Sequence, residues 1–346
     1  MITGGVLRSR RPEVSLRLDH RAFTVTAVLV TLLAAGCVVA LSTGEYPVPA
    51  AEVLAALVGN GSPGMDFIVL ELRLPRVLTA VLTGAALAIS GALMQSLTRN
   101  PLGSPDVVGF TNGSATGALV VIIVLDGGMT DIALGALVGG VATAVVVYLL
   151  ALRRGVEGFR FILVGIGVSA MLLAMNSYLI TRAAWQEGIE AQAWLIGTLN
   201  DVSWEHATVV GLTVAVLVPA ALSQHRELAL LEMGDAVAIA LGVRVERARV
   251  VLIGASVTLA AVATAATGPI AFVALAAPQL ARRLTRATSP GMMSSAAMGA
   301  LLLTASDLAV QRVFAPALLP VGVATGSIGG LYLIWLLATQ WRGERP

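Results

Sequence analysis

Apolar stretches of roughly 20 residues recur along this chain, and its arginines gather in the segments between them. Lipid is the solvent that fits such a pattern, because a spanning helix needs about 20 mostly apolar residues. Ten candidate spans can be marked: 22–41, 74–97, 107–125, 132–152, 161–180, 208–222, 250–267, 270–284, 292–313 and 321–339. The sixth and eighth are short, and Pro278 in the eighth predicts a break or a tilt. Charged residues make up only 12% of the 346, against about 25% in a soluble domain. The expected fold is therefore all-α and integral to the membrane. It is read as one ten-span bundle over 22–341, with an N-terminal arm at 1–21 and a short tail at 342–346.

All 22 basic residues are arginine. Without lysine the chain lacks the usual nucleotide phosphate loop, so any ATPase that drives it is another chain. Alternation from a cytoplasmic N-terminus puts 18 of the 22 arginines inside, including Arg10, Arg11, Arg153, Arg154 and Arg345. Only Arg73, Arg76, Arg182 and Arg312 fall outside. The positive-inside bias orients spans in this way and places both termini in the cytoplasm. The arginines lack interleaved aromatics and alternate with spans, which excludes a nucleic-acid stripe.

The single cysteine, Cys37, excludes an intrachain disulfide framework. Ala34–Cys37 loosely mimics a lipoprotein cleavage box, but more spans follow and position 34 is not leucine, so the segment reads as a retained span. Small residues at helical spacing, Gly113 with Gly117 and Gly135 with Gly139, predict close helix packing. Spans two to five and seven to ten form two blocks of four entered from opposite sides. Each block has a Pro-bearing loop, Asn100–Pro105 and Ala315–Pro320, as an inverted repeat requires.

No enzyme constellation is present. His20, His206 and His225 fall in separate loops without metal-ligand companions. Asp307 is an ionisable group within the ninth span, with Gln311 one turn on, and is either functional or a polar tie between helices. Gln95 and Asn176, also polar within spans, are either interhelical ties or the lining of a translocation path.

The inside loop at 223–249 carries Leu230, Met233, Val237 and Leu241 at helical period, with Gly234 and Gly242 able to end short helices. Its apolar stripe either docks in a groove of another protein or packs against membrane or bundle. Outside, Arg73 and Arg76 flank Pro75 against the charge rule. They suit either the carboxylates of a soluble partner or lipid headgroups.

Several ordered blocks carry a family resemblance: Leu72–Arg76, Gly84–Asp106, Leu230–Val243, Gly268–Leu284 and Leu319–Gly330. Together they resemble the permease subunits of ABC importers for ferric siderophores and vitamin B12. Across Arg99–Gly117 and Phe159–Met175 the likeness is to second permease subunits of ferric-enterobactin importers. The resemblance implies a type II ABC importer permease fold of ten spans in the bacterial plasma membrane. It also implies a second homologous permease, favouring a heterodimer, two cytoplasmic ATPases that bind ATP and Mg, and an extracytoplasmic siderophore-binding protein. It assigns ATPase coupling to Glu232, Met233, Gly234, Asp235, Leu241 and Gly242, and binding-protein docking to Arg73 and Arg76. A third external arginine of the vitamin B12 relatives aligns on Gln311, beside Arg312, the candidate for that role here. The alternatives are a permease for vitamin B12 or haem, or an ion-coupled secondary transporter, which would want several buried carboxylates.

Overall fold

In lipid a backbone must satisfy its own hydrogen bonds, and a helix does so within one segment. The computed structural model describes residues 4–8, 15–44, 46–151, 158–200, 202–289, 291–313 and 319–343, with backbone alone for 4–18, 129, 158 and 336–343. Arg10, Arg11, Arg153, Arg154, Arg345 and residues 315–318 of the second Pro-bearing loop lie outside the described residues.

An antiparallel pair, β1 (Gly4–Arg8) and β2 (Ser15–Asp19), precedes α1 (His20–Ser42), whose first N–H groups are capped by the Asp19 carboxylate. Two short helices, α2 (Ala50–Leu57) and α3 (Pro63–Asp66), lead into a π-helical stretch (Phe67–Arg73) that continues as α4 (Leu74–Thr98). Pro75 has no N–H for the carbonyl four residues back, and the helix widens ahead of it. Next come α5 (Pro105–Val108), α6 (Phe110–Val120) with a π-helical end at Val121–Leu125, α7 (Met129–Ala151), α8 (Gly158–Arg182) and α9 (Trp185–Ile196). The chain continues with α10 (Trp204–Ser223), α11 (His225–Glu232), α12 (Asp235–Ala240) and α13 (Val245–Thr267). It closes with α14 (Val273–Thr285), α15 (Met292–Val313) and α16 (Val321–Gly343).

The ten-span count does not stand. Among the described residues seven helices are long and apolar enough to cross a membrane: α1, α4 with its preceding turns, α7, α8, α10, α13 and α15. Two of the other three candidates fall short for local reasons, and the third, α16, is judged only over the residues whose side chains are described. Gly109, at φ 92°, breaks the 107–125 stretch, leaving Phe110–Leu125 as a shorter apolar helix. Within 270–284, Phe272 adopts φ 68°, so only the 13 residues of α14 are helical. The described apolar part of 321–339 is Val321–Trp335. Each block of the expected inverted repeat contains at least one of these three, so the type II ten-span bundle with two matched halves is corrected to an all-α multi-pass fold with seven helices of spanning length.

Burial separates centre from rim. Most of the apolar window is buried in α4 and α13 (78% each) and in α15 (61%), against 17% in α1, α8 and α10. The three inner helices meet through small residues. A Cβ on Gly84 of α4 would strike the Gly299 carbonyl of α15, and one on Gly299 would strike Gly84 in return. Ser90 and Ser256 share hydroxyl hydrogen bonds at 2.8 Å between α4 and α13. The α6–α7 contact rests on the glycines singled out in sequence. A Cβ on Gly117 would collide with the Gly135 carbonyl, and one on Gly139 with that of Gly113. Without a hydrophobic force between helices in lipid, such close backbone approach is what holds them.

Candidate functional site

Charged and polar groups collect at the two ends of α4, which its 25 residues separate by about 37 Å at 1.5 Å per residue. At its C-terminal end lies the loop of α11 and α12. Leu228, Leu231 and Ala238 turn inward and are buried against the bundle. Met233, Val237, Ile239 and Leu241 turn outward and are exposed. The stripe read from sequence is therefore split: Leu230 packs partly against the core, whereas Met233, Val237 and Leu241 form the free apolar face. Gly234 (φ 111°) makes the turn between the two helices, and Gly242 (φ 83°) ends the second.

Asp235 fixes this loop to the membrane helices. Both its carboxylate oxygens lie 2.8 Å from Nη2 of Arg249, a buried residue on α13. Arg99, the left-handed residue that ends α4, stands 3.7 Å away on the other side. Glu232 ends α11 and lines a small cavity with Gln95, Arg99, Gln279 and Arg282. Gln95 donates to the Leu275 carbonyl at 3.0 Å and accepts from the Gln279 amide. Arg21 donates to the Leu284 carbonyl at 2.9 Å, which brings it to the same end.

At the opposite end Arg76 and Asp307 form a two-pronged pair, Nε to Oδ2 at 3.0 Å and Nη2 to Oδ1 at 2.8 Å. Gln311 adds a third donor to Asp307 at 2.7 Å, and Asp307 is only 4% exposed. That geometry ties α15 to α4. Arg73 donates to the backbone carbonyls of Leu41, at 2.7 Å, and of Tyr46. Arg312 lies close enough to Arg73 for their charges to repel, and it is exposed. Asn176 is buried on α8, where its carbonyl accepts from the Thr116 hydroxyl of α6 at 2.6 Å, and Asn112 donates to Ser169 at 2.7 Å one layer on.

Sequence reasoning missed three groups. Gln279 and Arg249 partner Gln95 and Asp235, and only the fold brings each pair together. The third is Asp106. It follows Ser104, which caps α5 through the Val107 N–H at 3.3 Å. Burial pushes its carboxyl up to about 6, against a hydrogen bond from Thr111 and one from the Phe272 backbone that pull it down. The signal available in sequence was the Ser-Pro-Asp start of a short helix. Among the described residues no cluster of His, Cys, Asp and Glu is arranged to hold a metal.

The pattern of the FecCD transport family matches residues 32–339. The ferric enterobactin transport system permease protein of Escherichia coli K12 is 47% identical over 315 residues, covering 90% of this chain and 96% of that protein. The achromobactin transport system permease protein of Dickeya dadantii is 34% identical over 341 residues, covering 97% of each. Among solved structures, an inward-facing metal-chelate type ABC transporter superposes with a TM-score of 0.80 at 26% identity, covering 92% of this chain and 99% of that one.

Proposed function

This chain belongs to the FecCD transport family, and from that premise we propose that it is the membrane permease subunit of an ATP-driven importer of ferric siderophores. It performs no chemistry itself. ATP is hydrolysed by separate ATPase subunits, and a periplasmic siderophore-binding protein delivers the chelate. The observation that carries the reading is the 47% identity, across nearly the whole chain, to a permease of a ferric enterobactin system. The same likeness supports a pairing with a second, homologous permease rather than with a copy of itself.

The protein is multi-pass in the inner membrane. We assign the end bearing α11 and α12 to the cytoplasm, because Arg21, Arg99, Arg249 and Arg282 gather there, while Arg73, Arg76 and Arg312 lie at the opposite end. In this reading Met233 and Leu241 meet the ATPase groove, with Glu232, Gly234, Asp235 and Gly242 setting their angle. Arg312 and Arg73 meet carboxylates of the binding protein, and Arg76 offers only what its pair with Asp307 leaves. Gln95 and Asn176 border the path, and Asp307 closes its outer end. Importers of this kind need contacts that differ between states rather than tight binding in one of them.

The test is chelate uptake in an iron-limited deletion strain, across catecholate, hydroxamate and mixed chelates. Restored uptake of at least one ferric siderophore, dependent on an intact ATPase partner, is expected. Uptake that persists without any ATPase and collapses with the ion gradient would assign the chain to secondary transport.

A further inference from the structure

A cavity of about 180 Å³ opens at the loop end, between the last turns of α4 and α14. Its membrane side is built of donors. Gln95 and Gln279 are both buried and hydrogen-bonded to each other. Ser96 is 3% exposed, and its hydroxyl has no hydrogen-bond partner among the described residues. Arg99 and Arg282 complete the wall. Guanidinium forks, the one amide N–H left to each glutamine after its bond to Leu275 or Gln95, and a spare hydroxyl match adjacent oxyanion oxygens. The volume is below the roughly 300–1,000 Å³ of a pocket that takes a whole drug-sized ligand, so it suits one chelating arm.

The charges around this cavity are divided by element. Both arginines belong to helices of the bundle, one ending α4 and one on α14. Both nearby carboxylates, Glu232 and Asp235, belong to the loop. Arg249 grips Asp235 at 2.8 Å, whereas Arg99 stands off at 3.7 Å. Arg99 is therefore shared loosely between the loop and the cavity.

We infer that this cavity receives one oxyanion arm of an anionic ferric chelate, of the catecholate kind, and that the loop sets its charge. With Asp235 and Glu232 drawn close, Arg99 is neutralised and the arm is released toward the loop side. With the loop withdrawn, both arginines face the cavity and hold the arm. The inference deepens the proposed function and rests on it: Arg99 and Arg282 select anionic over neutral chelates.

The test uses the purified full complex, its thermal stabilisation titrated with iron(III) tris-catecholate, a trianion, and with neutral iron(III) tris-hydroxamate. Phosphatidylglycerol micelles report on lipid headgroups. The wild type is expected to respond to the trianion alone. Arg99→Gln with Arg282→Gln raises the half-maximal concentration at least tenfold, Asp235→Asn lowers it, and Arg282→Lys, which keeps charge but loses the fork, falls between. An unchanged midpoint in the double variant, an equal response to the neutral complex, or a response to phosphatidylglycerol alone overturns the inference. Should the double variant fail to assemble, the Asp235→Asn and Arg282→Lys midpoints decide by the same criterion. Uptake by wild-type cells is read in parallel. Its absence counts against the proposed function, whereas normal uptake with an unchanged variant midpoint counts against this inference alone.

Discussion

Arg76 and Asp307 join α4 to α15 through two hydrogen bonds, at 3.0 and 2.8 Å, with the carboxylate almost fully buried. Removing one member of a buried pair strands the other charge, at a cost of about 3–5 kcal/mol. Asp307→Leu should therefore lower the thermal unfolding midpoint in detergent sharply. Asp307→Leu combined with Arg76→Leu should recover much of the loss. A double-mutant cycle checks this, and additive losses in the two single variants would show that the pair is not coupled.

The α6–α7 crossing leads to a second expectation. A methyl on Gly117 meets the Gly135 carbonyl, with no flexible side chain to give way. Gly117→Ala should destabilise by roughly 1–3 kcal/mol, the usual range for overpacking, whereas Gly254→Ala, where a Cβ meets nothing within 4 Å, should be close to neutral. Midpoints in detergent compare the two. Equal effects would remove the crossing as a determinant of the bundle.

Much of this was legible from sequence and some was not. Hydropathy located the seven helices of spanning length, and the small-residue spacing of Gly113, Gly117, Gly135 and Gly139 named a real contact. Hydropathy counts residues, however, and cannot see where a backbone stops being helical. Phe272 adopts a left-handed conformation that its side chain gives no reason to expect, so 270–284 looked longer than its 13-residue helix. Gly109 interrupts 107–125 in the same way. Polar partners across the fold were hidden for another reason: Gln95 and Gln279 lie 184 positions apart, and nothing local pairs them. The loop stripe has a helical period in sequence, but Gly234 breaks it into two helices, and Leu230 turns toward the core while Met233 and Leu241 do not.

Asp106 gives the fold a pH dependence. Its carboxyl titrates at about 6 in the fold, above the ordinary 3.8, because burial penalises the charge. A raised acid pKa means that the folded state holds its proton longer. The associated stability is full below about 4 and is lost as pH rises through 6. The wild-type midpoint should fall between pH 4 and pH 6.5, and Asp106→Asn should flatten that slope. Parallel slopes in the two proteins would assign the dependence to other groups.

At the end of α4 away from the loop, Arg312 is exposed and Arg73 is only partly engaged by backbone carbonyls. Arg73→Glu with Arg312→Glu should weaken association with the binding protein at least tenfold, since it replaces attraction by like-charge repulsion. Co-purification with the ATPase should be unchanged. Binding-protein affinity at the wild-type value would remove these arginines from the docking surface.

The most direct test of the central claim is radioiron uptake from a ferric siderophore by cells carrying Met233→Asp with Leu241→Asp. Both side chains are exposed, at 68% and 55%, so the fold should survive the change. If the loop face is the joint to an ATPase, the variant will insert at normal levels, lose co-purifying ATPase and take up iron at least tenfold more slowly than wild type. Wild-type uptake with two carboxylates on that face would contradict the account.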